Sequence, residues 1–271
     1  MKKGFLKKLC LGTIIATLSI SLVGCGNKKS EDKLDVIKEK GTVVVGLSAD
    51  YAPYEFHAMI DGKDEIVGFD VNLAKEIASD LGVKLEIKEM DFDSLIASVK
   101  ADKIDMVISG MNPDKKRAKQ IDFSDIYYES KHGVLVREED KDKYKEISDL
   151  NEKIIGAQLG SVQQGIAEKK VKASKVQLLA DVNNLVLELK TNKIDALITE
   201  EPVANMAMQN NKGLVLSDIK FADEGGGNAI GIAKNSPKLL KEINKTIKRL
   251  KKSGELDKYI IDANNLAAQN S

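Results

Sequence analysis

The chain has 271 residues, 42% of them hydrophobic and 31% charged, so it carries enough apolar material for a packed core and is not a disordered or low-complexity protein. Lys plus Arg and Asp plus Glu are both 42, which gives no electrostatic case for a nucleic-acid partner. Aromatics make up only 4%, with no Trp, so each Tyr or Phe near a candidate site carries weight.

Lys2, Lys3, Lys7 and Lys8 form a basic n-region and Leu9 to Val23 an apolar h-region, the layout of a secretory signal peptide over residues 1–24. An apolar run of about 15 residues is short for a membrane span of ~20, and no longer run follows, which excludes a polytopic membrane protein. The end of the segment, Leu22-Val23-Gly24-Cys25, resembles the lipobox of bacterial lipoproteins. That resemblance implies that Cys25 is lipidated with palmitate and becomes the new N-terminus, holding the protein on the outer face of the cell membrane. Two acyl chains on one Cys are enough for stable anchoring. Cleavage removes four Lys and no acid, leaving 38 basic and 42 acidic residues, a net −4. It also removes Cys10, so Cys25 is the sole remaining cysteine and no intramolecular disulfide is possible. Residues 25–40 are expected to be a lipid-anchored flexible tether, polar from Gly26 to Lys33.

From Gly41 onward strand and helix signals alternate. Thr42 to Gly46 is a β-branched run, the pattern of a buried strand. Phe69, Leu73, Ile77 and Leu81 recur at helical spacing, with Gly82 at the C-cap. A strand over Val83–Ile87, a helix over Ser94–Lys100 and a strand over Ile104–Ile108 follow. The second half gives strands at Ile154–Gly156, Val176–Leu179 and Ile194–Ile198, with helices at Val162–Ala167 and Leu185–Lys190. Pro237 to Ile261 reads as a Lys-rich helix with Pro237 at N1 and a break at Ser253-Gly254. Alternation of this kind predicts an α/β fold with a mainly parallel sheet.

An internal echo sets the organisation. Asp91 to Ser109 matches Asp181 to Thr199, with Leu95, Lys100, Lys103, Ile104, Asp105 and Ile108 against Leu185, Lys190, Lys193, Ile194, Asp195 and Ile198. A spacing of 90 residues is too long for a solenoid and suits two similar lobes. Ligands of open α/β sheets sit outside the carboxyl ends of strands, and Ser109 and Thr199 mark such ends.

No catalytic constellation stands out. His57 and His132 are the only histidines and lie in no metal-ligand spacing; there is no GxSxG, P-loop or helix-opening GxGxxG. Gly225-Gly226-Gly227 follows the acidic Asp223-Glu224 and reads as a hinge or turn. The chain reads as a binder, with no cofactor and no metal.

Four stretches resemble a known family. They are Ser48-Ala49-Asp50-Tyr51-Ala52-Pro53-Tyr54, Val67-Gly68-Phe69-Asp70, Met90-Asp91-Phe92-Asp93, and Ile108 to Arg117 followed by Ile121-Asp122-Phe123-Ser124. They are similar to the polar-amino-acid family of bacterial extracellular solute-binding proteins, family 3, which serve ABC importers. The resemblance runs from Gly41 to Ile261 and implies a type II periplasmic-binding fold, two α/β lobes joined by a two-strand hinge. Lobe 1 is expected at 41–132 plus 228–265, lobe 2 at 137–224, and the hinge at 133–136 and 225–232.

The same resemblance implies the site. Arg117 clamps the ligand α-carboxylate, a task that suits a planar guanidinium. Ser109, Gly110 and Asn112 lie at the first strand end, with Gly110 and Asn112 offering oxygens to the α-ammonium; Asn112 before Pro113 also reads as an N-cap. Ser161 opens the second-lobe helix, and Gln163 falls at a further contact position. Glu200 pairs with the ammonium; a one-residue shift would put Glu201 there, and strand alternation favours Glu200. Tyr51 and Phe92 sandwich the ligand side chain, which suits a planar or cationic group. Ser48 stands where members binding basic amino acids or glutamine commonly have Asp, so arginine, glutamine, histidine and cystine all stay open. The implied partners are a polar L-amino acid, an importer permease with a separate ATPase subunit, and the membrane through the anchor, the protein itself being a monomer. Rival readings on the same fold are a receptor's sensing module and a cyclohexadienyl dehydratase-like enzyme, against which the lack of a His near the cleft argues.

Overall fold

The repeat seen in the sequence builds two separate β-sheets of five strands each. The structure, a computed structural model, describes residues 32–269. The signal segment, Cys25 and the start of the expected tether lie outside the described residues.

Helix α1 (Lys33–Lys40) corrects the expectation of a tether reaching residue 40. Its composition is mostly Lys, Glu and Asp, which locally resembles solvated chain, but Ile37 is fully buried. Burial of one such side chain contributes ~1.5–3 kcal/mol. Asp32 caps the helix by accepting from Leu34 N at 3.0 Å, and Gly41 closes it at φ 70°.

Strand β1 (Thr42–Leu47) is buried on both faces, Val43 and Val45 in one core and Val44 in another, which explains a run of Val without alternation. Strands β2 (Asp50–Tyr51), β3 (Glu55–Ile60) and β4 (Lys63–Val67) form a small antiparallel sheet. Helix α2 (Phe69–Leu81) starts after Gly68, where a Cβ would sit 2.1 Å from the Tyr54 carbonyl oxygen, so no side chain fits. Then come β5 (Lys84–Glu89), α3 (Leu95–Lys100), β6 (Met106–Val107) and β7 (Asp122–Phe123).

The second lobe holds β8 (His132–Arg137), β9 (Ile154–Gln158), α4 (Val162–Lys169) and β10 (Lys175–Leu179). It continues with α5 (Val182–Lys190), β11 (Ala196–Glu200), α6 (Glu201–Asn210) and β12 (Leu214–Phe221). The chain then returns to the first sheet with β13 (Gly231–Ile232) and ends in α7 (Pro237–Ser253) and α8 (Glu255–Gln269).

The strand orders are β5-β1-β6-β13-β7 and β10-β9-β11-β8-β12. In each sheet one strand runs against the rest: β13 in the first and β8 in the second. Each reversed strand is the one that follows a crossing between the lobes. Four strands of each sheet share a direction, but two of the four pairings in each are antiparallel, so the sheets are mixed where the sequence predicts a mainly parallel one.

The first crossing lies earlier than the expected 133–136, whereas the second, at Asn228, falls inside the expected 225–232. Val134, Leu135 and Val136 are fully buried members of the second sheet, and Gly231 and Ile232 belong to the first. The two crossing segments instead meet at Tyr128 and Asn228, an isolated bridge in which Asn228 N donates to Tyr128 O at 2.7 Å and Tyr127 N to Asn228 O at 2.9 Å. The sequence misleads because the β-branched run 133–136 is a core strand, whereas the actual crossing has no strand signal.

The largest core gathers β1, α2, α7 and α8 around Tyr54, Phe69 and Tyr127. Helix α7 is capped not by Ser236 but by Asp32, whose carboxylate accepts from Lys238 N at 2.8 Å and from Leu239 N at 3.3 Å. In the second lobe, cores centred on Val134 and Ile155 and on Leu135 and Leu185 cover opposite sheet faces. Among the described residues no helix is long and apolar enough to cross a membrane.

Candidate functional site

The carboxyl ends of β1, β6, β9 and β11 meet between the lobes, and each brings polar side chains into the seam. The densest point is Glu200, fully buried at the end of β11. Its Oε1 accepts from Asn112 Nδ2 at 2.9 Å and Asn228 Nδ2 at 3.0 Å, and its Oε2 from Ser130 Oγ at 2.7 Å and from the Tyr54 hydroxyl. Four donors on one carboxylate keep a buried charge satisfied. Glu201 points elsewhere, to Lys220 at 2.8 Å.

Arg117 is also buried, and it reaches from the first lobe to the second. Its Nη1 donates to Asn112 O at 2.6 Å and its Nη2 to Gly160 O at 2.9 Å, while Asp114 lies 3.8 Å from Nε. The guanidinium carbon stands 5.3 Å from the centre of the Phe92 ring, a cation–π distance. Burial pulls the Arg117 pKa below its ordinary value, against the pull of Asp114, Asp223 and Glu200. The N-cap before the Arg117 turn is Asp114, which accepts from Lys116 N and Arg117 N; Asn112 instead donates to Glu200 and to Asp223 at 2.8 Å.

Tyr51 and Phe92 both come to the seam, in different company. Tyr51 stacks on Tyr54 at 5.3 Å, and its hydroxyl lies 3.4 Å from Thr199 Oγ1 and accepts from Gln163 Nε2 at 3.3 Å. Burial drives its phenol well above the usual range. Gly110, at φ 49°, lets that ring lie close: a Cβ there would be 3.0 Å from Tyr51 Cδ1. The Gly110 carbonyl, expected to face a ligand, accepts from Asn228 Nδ2 at 2.7 Å. Ser109 turns inward, donating to Glu55 Oε1 at 2.6 Å and accepting from Ser48 N at 3.0 Å. Ser161 caps α4, accepting from Gln164 N at 3.1 Å.

Several seam residues carry no site signal of their own in the sequence. Tyr54, Ser130 and Asn228 converge on Glu200 from 146, 70 and 28 residues away, separations that no local pattern reveals. Asp50, rather than Ser48, carries the contacts across the seam here. Its Oδ1 accepts from Ser48 Oγ at 2.7 Å, and its Oδ2 accepts from Gln158 Nε2 at 3.1 Å and Val182 N at 2.6 Å, tying the first lobe to the start of α5. Burial raises the Asp50 pKa to about 6. Contrary to the expected lack of a His near the cleft, His132 is a buried wall residue with Nδ1 3.3 Å from Gln163 Nε2 and Nε2 4.0 Å from Asp223.

Two openings flank these contacts. One of about 930 Å³ is bordered by Arg117, His132, Ser161 and Asp223; the other, about 560 Å³, by Ser48, Asp50, Asp91 and Asp181. Both fall in the size range of small-molecule sites. Among the described residues no group of three or more His, Cys, Asp or Glu is placed to hold a metal ion.

Residues 43–262 match the family described as bacterial extracellular solute-binding proteins, family 3. The arginine-binding extracellular protein ArtP of Bacillus subtilis is 37% identical over 261 residues, 93% of this chain and 96% of the relative. A probable histidine-binding protein of Campylobacter jejuni is 35% identical, covering 94% of this chain and 98% of its own. The crystal structure of the amino acid ABC transporter substrate-binding protein AbpA from Streptococcus pneumoniae, bound to L-arginine, superimposes with a TM-score of 0.84 at 41% identity, covering 86% of this chain and 99% of that one.

Proposed function

The chain belongs to the bacterial extracellular solute-binding proteins, family 3, and from that premise we propose that it captures an L-amino acid, with L-arginine first among them, and delivers it to an ABC importer. One observation carries the reading: Arg117 and Glu200, of opposite charge and from different lobes, are both buried at the same seam. A zwitterionic amino acid carries the two complementary charges. Arg117 takes the carboxylate in a bidentate grip, and Glu200, with Asn112 and Asn228 beside it, takes the ammonium. Gln163 and the α4 start at Ser161 add contacts from the second lobe, and Tyr51 and Phe92 supply flat faces for a guanidinium. Relatives named for arginine binding, and the arginine held in the Streptococcus structure, support that side chain.

Capture works by rotation of the lobes about the Tyr128–Asn228 crossing, with the sheet of β1, β5, β6, β7 and β13 in lobe 1 and that of β8 to β12 in lobe 2. Ligand binds first to lobe 1 and the second lobe closes over it. The closed form is the one an importer permease reads, with ATP hydrolysed on a separate subunit. Cys25 holds the protein at the outer face of the membrane, so Cys25→Ser should release it into the soluble fraction. Retention of that variant after a salt wash would overturn the anchor.

The buried His132 beside Asp223 lends some weight to the dehydratase reading, but the relatives are named as binding proteins. The deciding experiment is mass spectrometry of small molecules released on denaturation, followed by calorimetry with L-arginine, L-histidine, L-glutamine and L-cystine. A released amino acid that rebinds supports transport. Prephenate or arogenate turnover, with no amino acid bound, supports the enzyme instead.

A further inference from the structure

Glu55 and Asp70 are the two fully buried carboxyls of the first lobe, and nothing in the proposed binding reaction uses them. Each has one oxygen engaged. Glu55 Oε1 accepts from Ser109 Oγ at 2.6 Å, and Asp70 Oδ2 accepts from Gly110 N and Tyr127 Oη, both at 2.8 Å. The other oxygen of each, Glu55 Oε2 and Asp70 Oδ1, meets no N–H or O–H donor, yet the two side chains hydrogen-bond to one another. Two carboxylates are acceptors only, so a hydrogen bond between them requires a proton on one.

We propose that Glu55 is a neutral carboxylic acid that donates its proton to Asp70, and that this shared proton is the positioning device for the Ser109–Gly110 end of the binding cleft. Glu55 is the protonated member because Asp70 already collects two donors on its outer oxygen, which favours charge there. The titratable groups acting most strongly on the pair are Asp50, Glu200, Tyr51 and Tyr127, all acidic, and no cation is among them. Burial raises both carboxyls, Asp70 to about 6 and Glu55 well above its ordinary value.

The pair joins five segments. Glu55 is on β3, Asp70 opens α2, Tyr127 lies on the crossing, and Ser109 passes the contact on to Ser48 N at the end of β1. Gly110, held by Asp70 through its N–H, presents its carbonyl to Asn228, which in turn binds Glu200. The positioning role rests on the proposed binding reading; the shared proton does not.

The test uses the mature chain, first without ligand. Infrared difference spectra in D2O should show a carboxylic-acid carbonyl band in wild type that is lost in Glu55→Gln and shifted in Asp70→Asn, where the acceptor becomes an amide oxygen. A band that persists unchanged in Glu55→Gln overturns the proposal. Linkage fixes the sign of the second readout. A folded acid that holds its proton above its unfolded value loses stability as pH rises from the unfolded value toward the folded one. Glu55→Gln, whose amide donates to Asp70 and cannot ionise, should therefore gain in melting temperature on wild type as pH rises above about 5. A flat difference, or one of opposite slope, overturns it. Calorimetry with L-arginine then tests positioning: Glu55→Gln should bind within about threefold of wild type and Glu55→Ala about tenfold more weakly. Equal loss in both variants removes the positioning role. Failure of wild type itself to bind arginine counts against the proposed ligand, and leaves the band and the melts to judge the pair.

Discussion

The two copies of the repeat are held in place by the same device. Asp105 N donates to Val44 O and its Oδ2 accepts from Val44 N, both at 2.8 Å; Asp195 makes the same two contacts with Ile154, also at 2.8 Å. Gly46 and Gly156 clear space for the repeated isoleucine, since a Cβ would lie 2.4 Å from Ile104 Cδ1 and 2.5 Å from Ile194 Cδ1. Asp102 and Asn192 both take left-handed turns, at φ 56° and 59°. The copies part at their ends. The first finishes in Ser109-Gly110, which offers backbone and an inward hydroxyl, the second in Thr199-Glu200, which delivers a charge. Their helices differ too: α3 follows a 3-10 turn that sets Phe92 against Arg117, whereas α5 begins under Asp50 from the opposite lobe. Repeated residues hold sheets; divergent ones make the site asymmetric, as an amino acid with unlike ends requires.

Removing the asymmetry should have the largest effect. Arg117→Ala or Glu200→Gln should cost ~2–5 kcal/mol of amino-acid binding, roughly 30-fold or more in affinity. Glu201→Gln, whose carboxylate pairs outward with Lys220, should bind as wild type does. Calorimetry within about threefold of wild type for both Arg117→Ala and Glu200→Gln would reject the charge assignment.

The Asp50 contact on α5 gives a pH-dependent difference. Its folded pKa of about 6, against 3.8 normally, means that wild type loses stability as pH rises through that window. Asp50→Asn removes the loss, so the variant should gain on wild type by up to ~3 kcal/mol between pH 4 and 6, read by denaturant unfolding at each pH. A parallel pair of curves would mean that burial is not what sets this carboxyl.

The shared clamp itself can be compared between lobes. Asp105 is buried, whereas the side chain of Asp195 is 34% exposed, so water can replace the second and not the first. Asp105→Ala should cost ~1–3 kcal/mol in thermal unfolding and Asp195→Ala less, because the stranded Ile154 N–H is nearer solvent. Equal losses would show that the two lobes are equally dry there. The smallest effect belongs to Gly46→Ala and Gly156→Ala. Each methyl meets the far end of a flexible isoleucine, so about 1 kcal/mol is expected from either. A much larger loss in one alone would break the equivalence of the copies.

Much of this architecture is readable from one sequence. Periodic apolar positions predict α2 with its Gly82 stop, and the echo of Asp91–Ser109 in Asp181–Thr199 predicts two alike sheets. Helix α1 escapes because Leu34, Val36 and Ile37 among five charged residues make only a short apolar patch, and its cap, Asp32, serves a helix 206 residues away. The crossing escapes because Tyr128 and Asn228 pair as single residues, without strand periodicity. At the site, the strand ends and the charged pair follow from motif and alternation. The partners do not: Ser109 is drawn inward by Glu55, and Tyr54, Ser130 and Asn228 reach Glu200 only through tertiary packing.

The Tyr128–Asn228 bridge has a further consequence, one of leverage. Ser130 and Asn228, both on the crossing segments, grip Glu200 close to the axle about which the lobes would turn. A point near an axle travels little, whereas Asp93, Arg117 and Gly160 line the wide opening. Opening would part the contacts there while the grip on Glu200 stays nearly still. A pair of spectroscopic labels at Asp93 and Glu168, flanking the wide opening, should report the swing, and a pair at Lys131, beside β8, and Lys220, on β12 of the same second sheet, is the control that should stay silent.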